Sequence, residues 1–156
     1  MNWILDHFFQ LITACVALYG AGLSTYTFIA NRKEKRRHLS VTISNGCLTY
    51  GAELSPLMLF ITVANPGNRK VTINSPSIQL PNKKTIIFPI PLSNVRFPYE
   101  LDEGKSCMIW TEMKEIKKQL RSQGYPGSVR IKAKVRDAVD KLYWSKKSWK
   151  IDLDEE

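Results

Sequence analysis

Residues 8–30 contain no Asp, Glu, Lys, Arg or His, and Asn31-Arg32-Lys33-Glu34-Lys35-Arg36-Arg37 follows at once. Twenty-three residues at about 1.5 Å of rise each make a helix of roughly 34 Å, enough to cross a hydrocarbon core of about 30 Å with some tilt. Beyond the basic run the apolar pattern changes to period two. Leu39-Ser40-Val41-Thr42-Ile43 alternates, and residues 57–63 are a β-rich apolar run ending in Asn65-Pro66-Gly67-Asn68. Val71-Thr72-Ile73 resumes immediately, which predicts a hairpin. Further strands are expected over residues 77–80, 85–90, 105–110, 128–136 and 142–153. Pro81, Pro89 and Pro91 donate no ladder bonds, so this proline-flanked stretch belongs at a sheet edge or over a bulge. Seven or so short strands at such spacing predict an antiparallel β-sandwich.

One helix interrupts the strands. Thr111 is a candidate cap for a segment over 112–123 in which Met113, Ile116 and Leu120 form a narrow apolar stripe, with Lys114, Lys117, Lys118 and Arg121 around it. Gly124 suits a left-handed C-terminal position, Tyr125 packs back on the last turn, and Pro126 prevents continuation. The helix should lie across one end of the sandwich. The chain thus divides into a short external N-terminus (1–7), a transmembrane helix (8–30), a basic juxtamembrane segment (31–38), a β-sandwich (39–153) and an acidic tail (154–156).

The basic residues beside the span give its orientation, because Lys and Arg are retained on the cytoplasmic side. Arg32, Lys33, Lys35, Arg36 and Arg37 lie after the span; before it only the α-amine is cationic, and Asp6 is present. The N-terminus is therefore expected outside and residues 39–156 in the cytoplasm. A carboxylate near the bilayer centre costs about 2.5–3.5 kcal/mol on insertion scales, so Asp6 marks the outer edge, with Trp3 and Phe8 in the interfacial belt. Ile12-Thr13-Ala14-Cys15 has the form of a lipobox, but Asp6 and His7 interrupt the front of the segment and fifteen uncharged residues follow Cys15. A cleaved signal peptide also wants a positive leading region, whereas a basic cluster just after the apolar stretch stops transfer.

Setting aside the five cluster cations with Asp6 and Glu34 leaves 18 Lys and Arg against 12 Asp and Glu over residues 39–156, about +6 and concentrated late in the chain. That length suffices for one core. Three cysteines do not make a disulfide framework, and Cys47 and Cys107 read as reduced residues of a cytosolic domain. A different topology would reopen them as an inter-sheet disulfide.

Phe60-Ile61-Thr62-Val63-Ala64-Asn65-Pro66-Gly67-Asn68-Arg69-Lys70-Val71-Thr72-Ile73 resembles the hairpin of many bacterial immunoglobulin-like domains, in which an Asn-x-Gly turn joins two core strands. Leu101-Asp102-Glu103-Gly104-Lys105-Ser106 is similar to the Leu-x-x-Gly-x-Ser turn that opens a later strand there. With one span before them, and with Val135-Arg136-Asp137-Ala138 and Tyr143-x-Ser145-Lys146 at the end, residues 39–153 resemble small uncharacterised bacterial single-pass membrane proteins with a C-terminal immunoglobulin-like domain. The resemblance implies a mainly β immunoglobulin-like sandwich with one inserted helix, in the bacterial inner membrane. It carries over no catalytic residue.

The residue chemistry argues against an enzyme. His7 and His38 are the only histidines, and neither is placed to complete a Ser-His or Cys-His pair within a sandwich. No Cys-x-x-Cys, metal-binding His spacing, Gly-x-Gly-x-x-Gly or phosphate loop is present, so no cofactor, metal or catalytic residue is assigned. Glu100, Asp102 and Glu103 have the oxygen chemistry for Ca²⁺ but read more simply as a solvated turn. Asp137 and Asp140 flank a turn, where a side-chain bond to backbone is the expected role.

Two constellations stand above this background. Thr13, Ala17, Ala21 and Thr25 recur every four residues with Gly20 and Ser24 adjacent, a ridge of small side chains that lets helices approach closely in lipid. In Val129-Arg130-Ile131-Lys132-Ala133-Lys134-Val135-Arg136 apolar and basic residues alternate without a break. Arg130, Lys132, Lys134 and Arg136 must leave one face, with Lys141, Lys146, Lys147 and Lys150 adding to the field. An anionic partner would offset their repulsion. Nucleic acid is disfavoured because no aromatic platform is interleaved with the stripe and no recognised motif is present. The expected function is a membrane-anchored, non-enzymatic binding or adaptor module, with a protein partner, self-association or anionic lipid headgroups as ligand. The alternative is a small membrane effector of a bacterial conflict or phage-related system whose span oligomerises and perturbs the membrane.

Overall fold

The computed structural model describes residues 2–34, 37–88 and 91–154. They form two compact units, residues 1–36 and 37–156. The first is one helix, α1 (Asn2–Glu34), of 33 residues. Its apolar stretch, Phe9–Asn31, is long and apolar enough to cross a membrane. The helix begins at Asn2, so residues 2–7 are helical.

The second unit is mainly β, with two packed antiparallel sheets. In chain order its elements are β1 (Ser40–Gly46), β2 (Thr49–Tyr50), β3 (Glu53–Leu54), β4 (Met58–Ala64), β5 (Val71–Ile73), β6 (Ser77–Gln79), β7 (Thr85–Ile87), β8 (Leu92–Ser93), β9 (Tyr99–Leu101), β10 (Ser106–Glu112), α2 (Met113–Ser122), β11 (Ser128–Arg136), β12 (Leu142–Trp144) and β13 (Trp149–Asp152). The first sheet runs β1-β4-β10-β8. In the second, β11 has β12 and β13 on one side and β6 then β7 on the other. The β5-β9 ribbon extends this sheet: Ile73 bridges Asp137, Asn74 N donates to Arg136 O at 2.9 Å, and Ala138 N donates to Thr72 O at 2.9 Å. Ile61, Val63 and Ile109 from the first sheet and Ile78, Ile131, Ala133 and Val135 from the second are buried in one core. The proline-flanked β7 is an edge strand, and it stops at Ile87; Pro89 and Ile90 lie outside the described residues.

Residues 60–73 do not form the expected hairpin. Both edges of β4 are taken, by β1 and by β10 in full-length register, so the chain after Ala64 has no free edge to return to. It crosses to the second sheet instead, and between β9 and β10 it crosses back to the first. Asn65 organises both crossings. Its Oδ1 accepts from Gly67 N at 3.1 Å while Nδ2 donates to Arg69 O at 2.7 Å, and its backbone pairs with Lys105 and Gly104. Gly104 sits at φ +69°, which a side chain disfavours.

The strand expected over 142–153 is likewise broken. Continued alternation from Tyr143 and Ser145 would aim Lys147 into the core, where an unpaired ammonium is costly. Lys134 opposes Trp144 and Ile131 opposes Trp149, so residues 145–148 face only two residues of β11 and form a bulge that expels Lys147. Ser145, 4% exposed, closes it: Ser145 N donates to Ala133 O, and its hydroxyl accepts from Ala133 N and donates to Lys147 O.

Helix α2 starts later than expected and has no side-chain cap. Thr111 and Glu112 remain in the ladder with β4, Glu112 occupies the N-cap position, and Met113 N donates to Leu57 O at 2.9 Å. Met113, Ile116 and Leu120 are buried as the stripe requires. Gly124 at φ +79° donates to Arg121 O, and Tyr125 N reaches Leu120 O, the paired bonds of a glycine-terminated helix. The helix lies where β4 and β11 begin and β10 ends, across one end of the sandwich.

Candidate anionic-partner surface

Strand β11 sets this surface because it is central in the second sheet and alternates over its whole length. Val129, Ile131, Ala133 and Val135 are buried; Arg130, Lys132 and Arg136 are exposed and Lys134 is half-buried on the opposite face. Register then decides their neighbours. Lys150 lies opposite Arg130, Gln79 opposite Lys132, Leu142 opposite Arg136, and both Ser77 and Trp144 opposite Lys134. Like charges placed directly opposite, as Arg130 and Lys150 are, repel.

The cations are unequally compensated. Arg136 reaches Asp140 at 3.1 Å and Lys150 lies 3.8 Å from Asp152, both exposed pairs of small energetic weight. Lys134 donates to Thr85 Oγ1 at 2.7 Å with its ammonium 5.6 Å from the centroid of the Trp144 ring, a cation–π contact. Among the described residues, Arg130 and Lys132 have no ion-pair partner.

The structure corrects one expectation about this face. An aromatic ring does accompany the stripe: Trp144 (40% exposed) stands beside Lys134, with Leu142 (38%) and Ile87 (68%) on the same face. Counting outward from the Asp137 turn would have paired Lys134 with Trp144. It remains a single ring already engaged by an ammonium, whereas single-strand nucleic acid binders offer successive stacking platforms.

Beyond Arg136 the chain turns on Asp137, which is 1% exposed. Its Oδ1 accepts from Val139 N at 3.0 Å and Lys141 N at 2.9 Å, and its Oδ2 accepts from Tyr143 Oη at 3.3 Å with Arg37 Nη1 at 3.9 Å. Burial, and then the adjacent carboxylate, push the Tyr143 hydroxyl pKa up. This confirms the turn role of Asp137. It also fixes Arg37, whose carbonyl accepts from Lys141 Nζ. Of the other cluster residues, Arg32 and Lys33 belong to α1, while Lys35 and Arg36 lie outside the described residues.

The remaining candidates are accounted for locally. Thr13, Ala17, Gly20, Ala21, Ser24 and Thr25 are exposed along α1, and the hydroxyls of Thr13 and Thr25 are spent on Phe9 O and Ala21 O, both at 2.8 Å. Asp102 binds Lys70 at 3.1 Å and Lys105 at 3.0 Å, and Lys70 also reaches Glu100 at 3.3 Å. These bonds hold the Asp102 carboxyl below the usual range and raise both lysines. Among the described residues no group of three His, Cys, Asp or Glu is placed to hold a metal ion. Cys15, Cys47 and Cys107 are free thiols. A depression of about 810 Å³ beside β8 contains one cation, Arg96, and its Asn94 and Ser93 side chains are bonded to the backbone of Met108 and Val95. Comparison with family models and with curated proteins returns no match to this chain.

Proposed function

We propose that this chain is a single-pass membrane protein of the bacterial inner membrane, N-terminus outside, whose cytoplasmic β domain is a non-enzymatic binding module for an anionic lipid surface. The observation that carries the reading is the composition of the outward face of the second sheet. Arg130, Lys132, Lys134, Arg136 and Lys150 share it with Trp144, Leu142 and Ile87. Cations together with an amphipathic ring and exposed aliphatic groups are the chemistry that partitions into a charged membrane interface. The apolar stretch Phe9–Asn31 supports the span, and the cations that follow it support the orientation.

Vesicle sedimentation tests the reading with residues 37–156, which contain the whole core. Replacing Arg130, Lys132, Lys134 and Arg136 by Gln retains the polar outward face and the inward Val129, Ile131, Ala133 and Val135. Each lost cation should remove about 1 kcal/mol at most of attraction to anionic vesicles, and the attraction should fade with salt as the Debye length falls below roughly 8 Å. Equal sedimentation of wild type and variant overturns the lipid reading. A topology reporter after Glu156 should behave as cytoplasmic; periplasmic activity overturns the orientation.

A further inference from the structure

Near the start of β11 the basic face becomes concave. Strand β6 ends at Gln79, opposite Lys132, while β11 extends on to Ser128. The chain leaves β6 through a tight turn in which Lys83 N donates to Leu80 O at 3.0 Å, Leu80 N to Lys84 O at 2.9 Å and Lys84 N to Asn82 Oδ1 at 3.0 Å. This turn holds Lys83 at φ +64°, a left-handed conformation uncommon for any residue with a side chain. On the other flank of β11, the 145–148 bulge brings in Ser148. The two flanks and β11 enclose a depression of about 360 Å³ lined by Gln79, Leu80, Lys83, Arg130, Lys132 and Ser148 among its residues. Three of these side chains are cations and none is a carboxylate.

We propose that this depression binds a phosphomonoester group. The proposal rests on the anionic-surface reading and narrows it from a diffuse field to a seated ligand. A phosphomonoester at neutral pH carries about −1.5 to −2 charges and three free oxygens. The Arg130 guanidinium offers paired N–H donors for two oxygens, and the ammonium groups of Lys83 and Lys132 supply point charges. The Gln79 amide and Ser148 hydroxyl are further donors, and the exposed Pro81 is an apolar part of the lining. The volume lies at the low end of small-molecule sites, enough for a phosphate with a small carrier. A phosphodiester, with one charge and two oxygens esterified, satisfies fewer of these donors. The same chemistry is present in the terminal phosphate of a lipid headgroup and in a soluble phosphate ester.

The test uses the full chain in neutral detergent micelles and calorimetric titration with glycerol 3-phosphate, dioctanoyl phosphatidic acid and dioctanoyl phosphatidylglycerol. Saturable binding of at least one monoester is expected, tenfold or more tighter than the diester; binding of phosphatidic acid alone identifies a lipid source, and binding of both a group read without its carrier. Lys83→Gly suits the backbone at this position and removes the ammonium, so the variant should melt no lower than wild type yet bind the monoester at least tenfold more weakly. Arg130→Gln should weaken binding similarly. Arg136→Gln, on the stripe but outside the depression, should change it less than twofold. Absence of monoester binding, or equal weakening by Lys83→Gly and Arg136→Gln, overturns the proposal. Vesicle attraction lost equally with each stripe cation would leave the basic face standing and the pocket rejected, whereas saturable monoester binding without vesicle attraction would do the reverse.

Discussion

Asn65 Nδ2 donates to the carbonyl of Leu101 at 3.0 Å, joining the end of β4 in the first sheet to β9 in the second across 36 positions of sequence. The same amide reaches Arg69 O, and the Asn65 backbone bonds to Gly104 and Lys105. The crossing after β4 and the crossing before β10 therefore close on one side chain that is 1% exposed.

Asn65→Asp should destabilise the β domain by about 3 kcal/mol, because an isosteric carboxylate keeps the acceptor for Gly67 but turns two donated bonds, one buried and one part-buried, into contacts between acceptors. Urea denaturation of residues 37–156 measures it. A loss below about 0.5 kcal/mol would show that the crossings hold without this amide.

Much of the fold was legible in the sequence because its signals are local. The continuous apolar run, the alternation of β11, the Met113, Ile116 and Leu120 stripe and the Gly124 terminator each depend on neighbours a few residues apart. The failures share a different origin. Asn65-Pro66-Gly67-Asn68 reads as a hairpin turn, but where the chain goes next is decided by which edge of β4 is free, and β10, more than forty residues later, occupies it. The bulge at Ser145 has a local signal, since uninterrupted alternation would bury Lys147. The candidate site divides likewise. Alternation puts Arg130, Lys132, Lys134 and Arg136 on the outward face, whereas the pairing of Trp144 with Lys134 follows from register and the place of Lys83 at the same depression as Arg130 from a turn conformation.

Enlarging the small-residue ridge tests whether α1 associates through it. Ala17→Leu with Ala21→Leu should reduce crosslinking between copies in membranes several-fold, because bulky side chains hold helix backbones apart. The unfolding of residues 37–156 should be unchanged, since their core lies wholly outside α1. Unchanged crosslinking rejects this face. Growth arrest on expression that disappears in the same variant would favour the membrane-effector alternative.

Cys107 should give the β domain an alkaline limit. The residue points inward from β10 opposite Val63, is 1% exposed, and burial pushes its thiol from an ordinary 9.0 to about 11. Because the folded pKa is raised, the neutral thiol is the form the fold favours. Its contribution is complete below pH 9, where the thiol is protonated in both states. Between pH 9 and 11 the unfolded thiol ionises while the folded one stays protonated, and stability falls. At 1.36 kcal/mol per pH unit the loss reaches roughly 2–3 kcal/mol once pH passes the folded value. Lys70 and Lys105, raised by their bonds to Asp102, lose stabilisation toward the same end of the scale, so the slope and not the total isolates the thiol. In urea titrations from pH 8 to 11, Cys107→Ala should start less stable from lost packing yet decline more gently than wild type. Parallel declines would show that the buried thiol does not set the alkaline limit.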